Sequence, residues 1–368
     1  MSELYIGLMS GTSMDGIDAA LVRFGDKSLD LIATHEHDYP PSLREQLAEA
    51  IRTSPAQSRD GLEALDRHVG MSFRDAALAL LAKAGIGPSA ITAIGSHGQT
   101  IRHEPNAVPP FSLQAGNGSI IAGETGVMTV HDFRRADIEL GGQGAPLAPA
   151  FHEWLFRKAG TDRAVVNIGG IANVTILPAD DTDATGFDTG PGNTLLDAWT
   201  RKHKGEAFDR DGAWAAMGAI DFDLLERLLS DNYFSMPPPK STGFEYFNLD
   251  WLKSYNLAGH DAADIQATLS LLTAKSIAAA IPDQTSEVLV CGGGVHNCRL
   301  MHLLHCELPA VNVRSTAAAG LDPDWVEAVA FAWLAMRTVN GLPGNLPSVT
   351  GASRAAVLGT VCPRPASQ

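Results

Sequence analysis

A short apolar run followed at once by a glycine-rich turn occurs three times in this chain. LYIGLM leads into Gly11-Thr12-Ser13-Met14-Asp15-Gly16, and IDAALVRF follows. AVV leads into Asn167-Ile168-Gly169-Gly170-Ile171-Ala172-Asn173, and VTILP follows. EVLV leads into Cys291-Gly292-Gly293-Gly294-Val295-His296-Asn297 before a helical stretch. Apolar runs flanking a Gly/Asp turn signal a β-hairpin. Glycine also lets the backbone curl tightly and brings several N–H groups against one anion. Each turn taken singly is equally a plain tight turn. Two similar hairpins, with a strand that runs through a triple glycine into a helix, point together to a phosphate-binding design.

The rest of the chain alternates strands with helices, which implies α/β layers. Residues 41–86 carry apolar residues at helical spacing, with Gly85 as a stop. ITAIGSHGQ, SLQAG and MTVHDF read as strands, and NGSIIAGETG as a helix between the last two. The segment from residue 136, GGQGAPLAPAFHEWLFRKAG, reads as a Gly/Pro loop entering a helix, and the strand–turn–strand pattern of the N-terminus then repeats. This predicts two domains, residues 1–135 and 136–368, with the last helices able to pack back on the first. Pro237–Pro239 cannot sit inside a helix or a central strand, so SMPPPKSTGFEYFN is a loop. AADIQATLSLLTAKSIAAAI and DWVEAVAFAWLAMRTVNG read as long buried helices.

Several polar residues stand where chemistry is expected. Thr12 and Ser13 add hydroxyls to the first turn, and Asp15 and Asp18 add carboxylates able to hold Mg2+ directly or through water. Asp188, in Gly186-Phe187-Asp188-Thr189-Gly190-Pro191-Gly192-Asn193, lies in a glycine-flanked loop before a helix. It is either a helix cap or a general base, ionised at neutral pH if its pKa is near the ordinary value of about 4. Asn193 and Asp197 share a face of the following helix. Ser96, His97, Gly98, Gln99 and Thr100 present hydrogen-bonding side chains at a strand end, an edge where open α/β sheets bind ligands and where a hydroxyl-rich sugar fits. His97 reads equally as a satisfied buried histidine. Asp132 and Arg134 end another strand. Arg134 suits a substrate carboxylate or an internal Arg–Asp pair. His296, Cys298, His302, His305 and Cys306 cluster in sequence, but their spacing fits no zinc pattern. Neither a Walker A loop nor a G-x-G-x-x-G fingerprint is present, so a nucleotide must be held otherwise.

The motifs GTSMDGID (11–18), SHGQT (96–100), DFR (132–134), GGQGAP (141–146), NIGGIAN (167–173), FDTGPGN (187–193), PKSTG (239–243) and GGGVHN (292–297) occur in order. Together they resemble the anhydro-N-acetylmuramic acid kinases, within the superfamily of acetate and sugar kinases, heat-shock chaperones and actin. The resemblance implies two ribonuclease H-like (actin-like ATPase) domains flanking a central cleft. It implies ATP held by Gly11, Thr12, Ser13, Met14, Asp15, Gly16, Ile17 and Asp18, by Asn167, Gly169 and Gly170, and by an adenosine turn of Gly292, Gly293, Gly294 and Asn297. It implies Mg2+ near Asp15 and Asp188, Asp188 as the base that activates water, and Glu327 as a carboxylate near the substrate. His97, Gln99, Asp132, Arg134 and Asn193 are the expected sugar contacts. The implied reaction opens 1,6-anhydro-N-acetylmuramic acid with water and phosphorylates O6 from ATP. An ordinary sugar kinase without bond hydrolysis is the nearest rival, and a nucleotide-gated binding module a more distant one. The family's usual Arg after Lys-Ser-Thr-Gly is Phe244 here, with Lys240 close by in sequence.

Composition narrows the partners. Lys and Arg number 27 against 42 Asp and Glu, a net charge of −15, which repels nucleic acid and anionic membranes. No apolar run is long enough for a spanning helix, and the N-terminus does not read as a secretory leader. Four cysteines in 368 residues do not suggest a disulfide framework. The expectation is a cytoplasmic enzyme of a small anhydro amino sugar, assembled as a homodimer.

Overall fold

The computed structural model describes residues 3–11, 14, 16–53 and 59–364; Thr12, Ser13 and Asp15 of the first turn lie outside them. The chain divides into two compact units, Met1–Leu155 with Trp325–Gln368, and Phe156–Asp324.

Unit 1 contains β1 (Leu4–Met9), β2 (Gly16–Phe24), β3 (Leu29–Asp38), β4 (Ile91–Ser96), the separate hairpin β5 (Gln99–Glu104) and β6 (Phe111–Ala115), and β7 (Thr129–His131). Its main sheet runs β3-β2-β1-β4-β7, with Thr360–Cys362 added outside β7. β1, β2 and β3 are antiparallel neighbours, whereas β1, β4 and β7 run parallel. Unit 2 contains β8 (Arg163–Ile168), β9 (Ile171–Leu177), β10 (Thr185–Pro191), β11 (Glu287–Cys291) and β12 (Asn312–Ser315). Its order is β10-β9-β8-β11-β12, with the same antiparallel and parallel steps. Both units are therefore α/β with the ribonuclease H-like order third-second-first-fourth-fifth, and the repeated strand–turn–strand pattern is the first hairpin of each.

The period of two along β1 explains its packing. Leu4, Ile6 and Leu8 join Leu65, Val69 and Phe73 of the helix Arg59–Ala84 in one core. Gly7 faces the other way. A Cβ there would overlap the Ala328 carbonyl oxygen, and one on its neighbour Gly95 would overlap the Phe331 carbonyl oxygen. Two adjacent glycines thus make a groove into which the helix Val326–Val339 lies directly. In unit 2, Ala164, Val166, Ile168, Val288 and Val290 form a second core with Leu196, Trp199, Leu272 and Leu304 from the surrounding helices. Both long helices before β4 are present, and Gly85 ends the second at φ +66.

The domain division after residue 135 needs correction. Residues up to Leu155 stay with unit 1, and Trp325–Gln368 returns to it. The physical reason is Asp137, fully buried, whose carboxylate accepts from Gly144 N at 2.7 Å, Asn345 Nδ2 at 2.6 Å and Thr350 Oγ1 at 2.7 Å. That carboxylate fastens the Gly141–Pro146 loop and the C-terminal segment to one unit.

Candidate active site

In unit 1 the candidate residues gather at the carboxyl ends of the parallel strands β1, β4 and β7, the edge where α/β sheets bind ligands. Ser10 Oγ lies 2.7 Å from Gly16 O and 2.7 Å from Gln99 Oε1, and Gln99 Nε2 donates to Gly11 O at 3.1 Å. Gln99 is wholly buried. It braces the first turn. Ile17 is core. Met14 closes the turn with a bond to Gly11 O at 3.3 Å and φ +56. Asp18 stands opposite Met9 on β2.

His97, Arg134 and Glu327 form one electrostatic group. His97 donates its main-chain N–H to Leu8 O at 2.9 Å and packs its ring on Phe331, centroids 4.7 Å apart. Arg134 Nη2 donates to His97 Nε2 at 2.8 Å. A guanidinium can only donate, so the imidazole carries its proton on Nδ1. Burial, reinforced by the Arg134 charge, lowers the His97 pKa to about 3, so the ring is neutral. Arg134 Nη1 donates to Gly144 O at 2.9 Å. Burial lowers the guanidinium to about 10, while the Glu327 and Asp137 charges act in the opposite sense. Glu327 comes from the first turn of the helix that fills the Gly7/Gly95 groove. His103, which sequence reasoning passed over, is lowered to about 4 by burial and by the same guanidinium. The expected internal Arg–Asp pair does exist, but Arg135 makes it: its Nε lies 2.7 Å from Asp132 Oδ2. Asp132 holds φ +56, a strained backbone of the kind found at functional sites.

In unit 2 the second turn engages its carbonyls with the start of the helix Thr194–Lys204. Gly169 O accepts from Asn193 N at 2.8 Å, and Gly170 O from Gly192 N at 2.9 Å and Thr194 N at 3.0 Å. Asn193 Nδ2 reaches Ile168 O at 3.2 Å. This side chain supports the turn. With the carbonyls engaged, the amides of Gly169 and Gly170 have no acceptor among the described residues. Paired bare amides make an anion-binding concavity. The third turn lies beside it, since Cys291 pairs with Asn167 in the parallel register. Gly292 has φ +78, and a Cβ there would overlap Asn167 Oδ1. A Cβ on Gly294 would overlap the Ile168 side chain, whereas Gly293 faces open space. Asn167 is buried, and its Oδ1 has no partner among the described residues. Asn297 caps the helix Cys298–Glu307, accepting from Leu300 N at 3.0 Å.

Asp188 is a strand residue of β10, at a register slip before Gly190, and not a loop residue or a helix cap. Segment 236–248 wraps it. Asp188 N donates to Lys240 O at 3.1 Å, Thr242 N donates to Asp188 Oδ2 at 3.0 Å, and Tyr233 Oη donates to Asp188 O at 2.7 Å. Burial raises the carboxyl from 3.8 to about 7; the Thr242 amide opposes the shift and the Glu245 charge adds to it. The ordinary pKa assumed from sequence is corrected accordingly. Lys240 Nζ donates to Tyr233 O at 3.1 Å and sits 4.8 Å over the Tyr233 ring, while Phe244 is exposed. Thr242 lies in the PKSTG motif and was legible as a site candidate. Tyr233 and Glu245 carry no sequence signal.

Among the described residues, no three His, Cys, Asp or Glu side chains converge on a metal position. Within the Cys/His patch, His296 binds Asp324 at 2.7 Å, His305 binds Met301 O at 2.6 Å, and Cys306 Sγ lies 3.7 Å from His302 Nε2. Of the two carboxylates expected near Mg2+, Asp15 lies outside the described residues; the other, Asp188, is of the type that suits a hard cation taking its remaining oxygens from phosphate and water. No helix among the described residues is long and apolar enough to cross a membrane.

The sequence profile of the family described as Anhydro-N-acetylmuramic acid kinase matches residues 3–364. A protein of that name from Shewanella halifaxensis (strain HAW-EB4) is 53% identical over 366 residues, covering 98% of this chain and 99% of its own. Another from Xanthomonas campestris pv. campestris (strain 8004) is 52% identical over 369 residues, covering 98% of each. Among solved structures, component A of the Acidaminococcus fermentans (R)-2-hydroxyglutaryl-CoA dehydratase aligns with 90% of this chain and 96% of its own, at a TM-score of 0.49 and 12% identity.

Proposed function

This chain belongs to the anhydro-N-acetylmuramic acid kinase family, and from that premise we propose that it opens 1,6-anhydro-N-acetylmuramic acid with water and phosphorylates O6 from ATP. The products are N-acetylmuramic acid 6-phosphate and ADP, and the step belongs to peptidoglycan recycling. The observation that carries the mechanism is Asp188, a partly buried carboxyl held at about 7 and fixed by Thr242. A general base works best with a pKa near the operating pH.

Asp188 takes a proton from water as the water oxygen bonds to the anomeric carbon. The C1–O6 bond breaks, and O6 attacks the γ-phosphorus as the bond to the ADP oxygen breaks. The free amides of Gly169 and Gly170, with Gly11 and its neighbours, are the proposed phosphate donors. Gly293, the open member of the third turn, is where the nucleoside would lie. His97, Arg134 and Glu327 are the proposed sugar group, with Asp132 at its edge. Neutral His97 offers a hydrogen bond without a charge. Asp188, together with Asp15 of the first turn, would hold Mg2+ directly or through water, and the ion would supply neutralisation of charge on the transferring phosphoryl group. The same reading extends to a cytoplasmic, homodimeric enzyme, and the free cysteines fit a reducing compartment.

Incubation with ATP and the anhydro sugar in 18O-water tests the reaction. Label at C1 of the phosphorylated product is expected; phosphorylation without label points instead to an ordinary kinase. Asp188→Asn is expected to lower turnover by at least about a hundredfold, the range of general-base catalysis, with ATP affinity kept. A near-wild-type rate removes Asp188 from the mechanism.

A further inference from the structure

Asp188 is not held by its own strand alone. Its main-chain carbonyl, main-chain N–H and carboxylate each bond to residues between 233 and 242. What holds that segment is Asp231, partly buried at the start of the short helix Asn232–Ser235. Its Oδ1 accepts from Tyr233 N at 2.9 Å and Tyr246 Oη at 2.8 Å. Its Oδ2 accepts from Trp251 Nε1 at 2.9 Å and Tyr255 Oη at 3.2 Å. One carboxylate therefore gathers donors from just before segment 236–248, from its far end, and from Trp251 and Tyr255 beyond it.

The rings around it form a continuous aromatic pack. Tyr233 meets Phe247 edge-on at 5.3 Å, Phe247 meets Trp251 at 5.0 Å, and Trp251 meets Tyr255 at 5.0 Å. Each ring contributes apolar area and edge-to-face attraction, while the hydroxyls and the indole N–H need an acceptor when buried. Asp231 is that acceptor for Tyr246, Trp251 and Tyr255, while the Tyr233 hydroxyl goes to Asp188 O. Four hydrogen bonds to an ionised group are individually strong, and losing the acceptor strips a partner from the part-buried donors Tyr233 N, Trp251 Nε1 and Tyr255 Oη together.

We propose that Asp231 is a positioning residue for the hydrolytic step: it locks Tyr233 and Tyr246, and through them fixes Lys240 and Thr242 against Asp188. The inference rests on Asp188 being the base. Asp231 touches none of the reacting atoms in this scheme. It sets where the Asp188 carboxylate points, and it has no part in holding the nucleotide turns.

The test compares Asp231→Asn, Tyr233→Phe and Asp188→Asn in the full-length enzyme. Asp231→Asn is expected to lower kcat about tenfold or more while KM for ATP changes less than about twofold. Amide exchange at Thr242 should accelerate while β8 and β11 stay protected. Tyr233→Phe, which deletes only the hydroxyl on Asp188 O, should reproduce a smaller fall in kcat with ATP KM again unchanged. Asp231→Glu should recover part of the loss. Normal kcat in Asp231→Asn, with Asp188→Asn inactive, overturns the positioning role and leaves the base intact. An active Asp188→Asn overturns the base itself. A parallel rise in KM for ATP, or a Thr242 amide that stays protected, also overturns the proposal. Should Asp231→Asn not fold, Tyr233→Phe decides: a kcat within about twofold of wild type sinks it.

Discussion

At the scale of single residues, environment outweighs identity. An aspartate in water titrates near 4. Asp188 is raised to about 7 chiefly because folding removes it from water. kcat/KM should therefore climb with pH through a midpoint near 7, and a flat profile between pH 6 and 8 would contradict the base role. The same shift has a stability consequence. Between its ordinary 3.8 and about 7, the folded chain keeps a proton that the unfolded chain releases. The contribution of this group to stability is full below about 4 and is lost as pH rises through about 7. Asp188→Asn should accordingly raise Tm at pH 8 and give no gain at pH 4, measured by thermal unfolding at both. Gly169 is a second residue-level case. A Cβ there would meet nothing closer than Ile171 O at 3.6 Å, so Gly169→Val should fold with an unchanged Tm. It should still weaken ATP binding about tenfold or more, because a side chain covers two bare amides and a bond to a charged phosphate is worth about 1.5–3 kcal/mol. Titration calorimetry with a nucleotide analogue reads this directly, and unchanged affinity excludes the second turn from the nucleotide site.

At the scale of elements, close approach decides what packs where. The helix Val326–Val339 sits on β1 and β4 because Gly7 and Gly95 are paired and bare on that face. Gly95→Val places its side chain on the Phe331 carbonyl. Overpacking of this kind costs about 1–3 kcal/mol or more. Chemical denaturation should show unit 1 destabilised, with amide protection in unit 2 retained; equal loss in both would place the cost elsewhere. The long helices and first hairpins were legible because their periods of 3.6 and two are local properties. The strand identity of Asp188 was not. Gly186, Gly190 and Gly192 imitate a loop, and only pairing with β9 makes the segment a strand.

At the scale of the whole molecule, one topology occurs twice in a single acidic chain. The sequence alone determined where the three glycine turns fall, that strands and helices alternate, and which motifs travel together. These follow from residue type and near-neighbour spacing, which hold whatever the chain does at a distance. Three-dimensional packing placed residues 136–155 in unit 1, because that depends on the buried Asp137 accepting from Gly144, Asn345 and Thr350. It likewise decided that Gln99 and Asn297 brace backbone, that Arg134 bonds His97, and that Thr242 reaches Asp188. A hydrogen bond across 54 residues, or a pKa set by loss of water, is a property of what surrounds a group in space, and no local pattern encodes it.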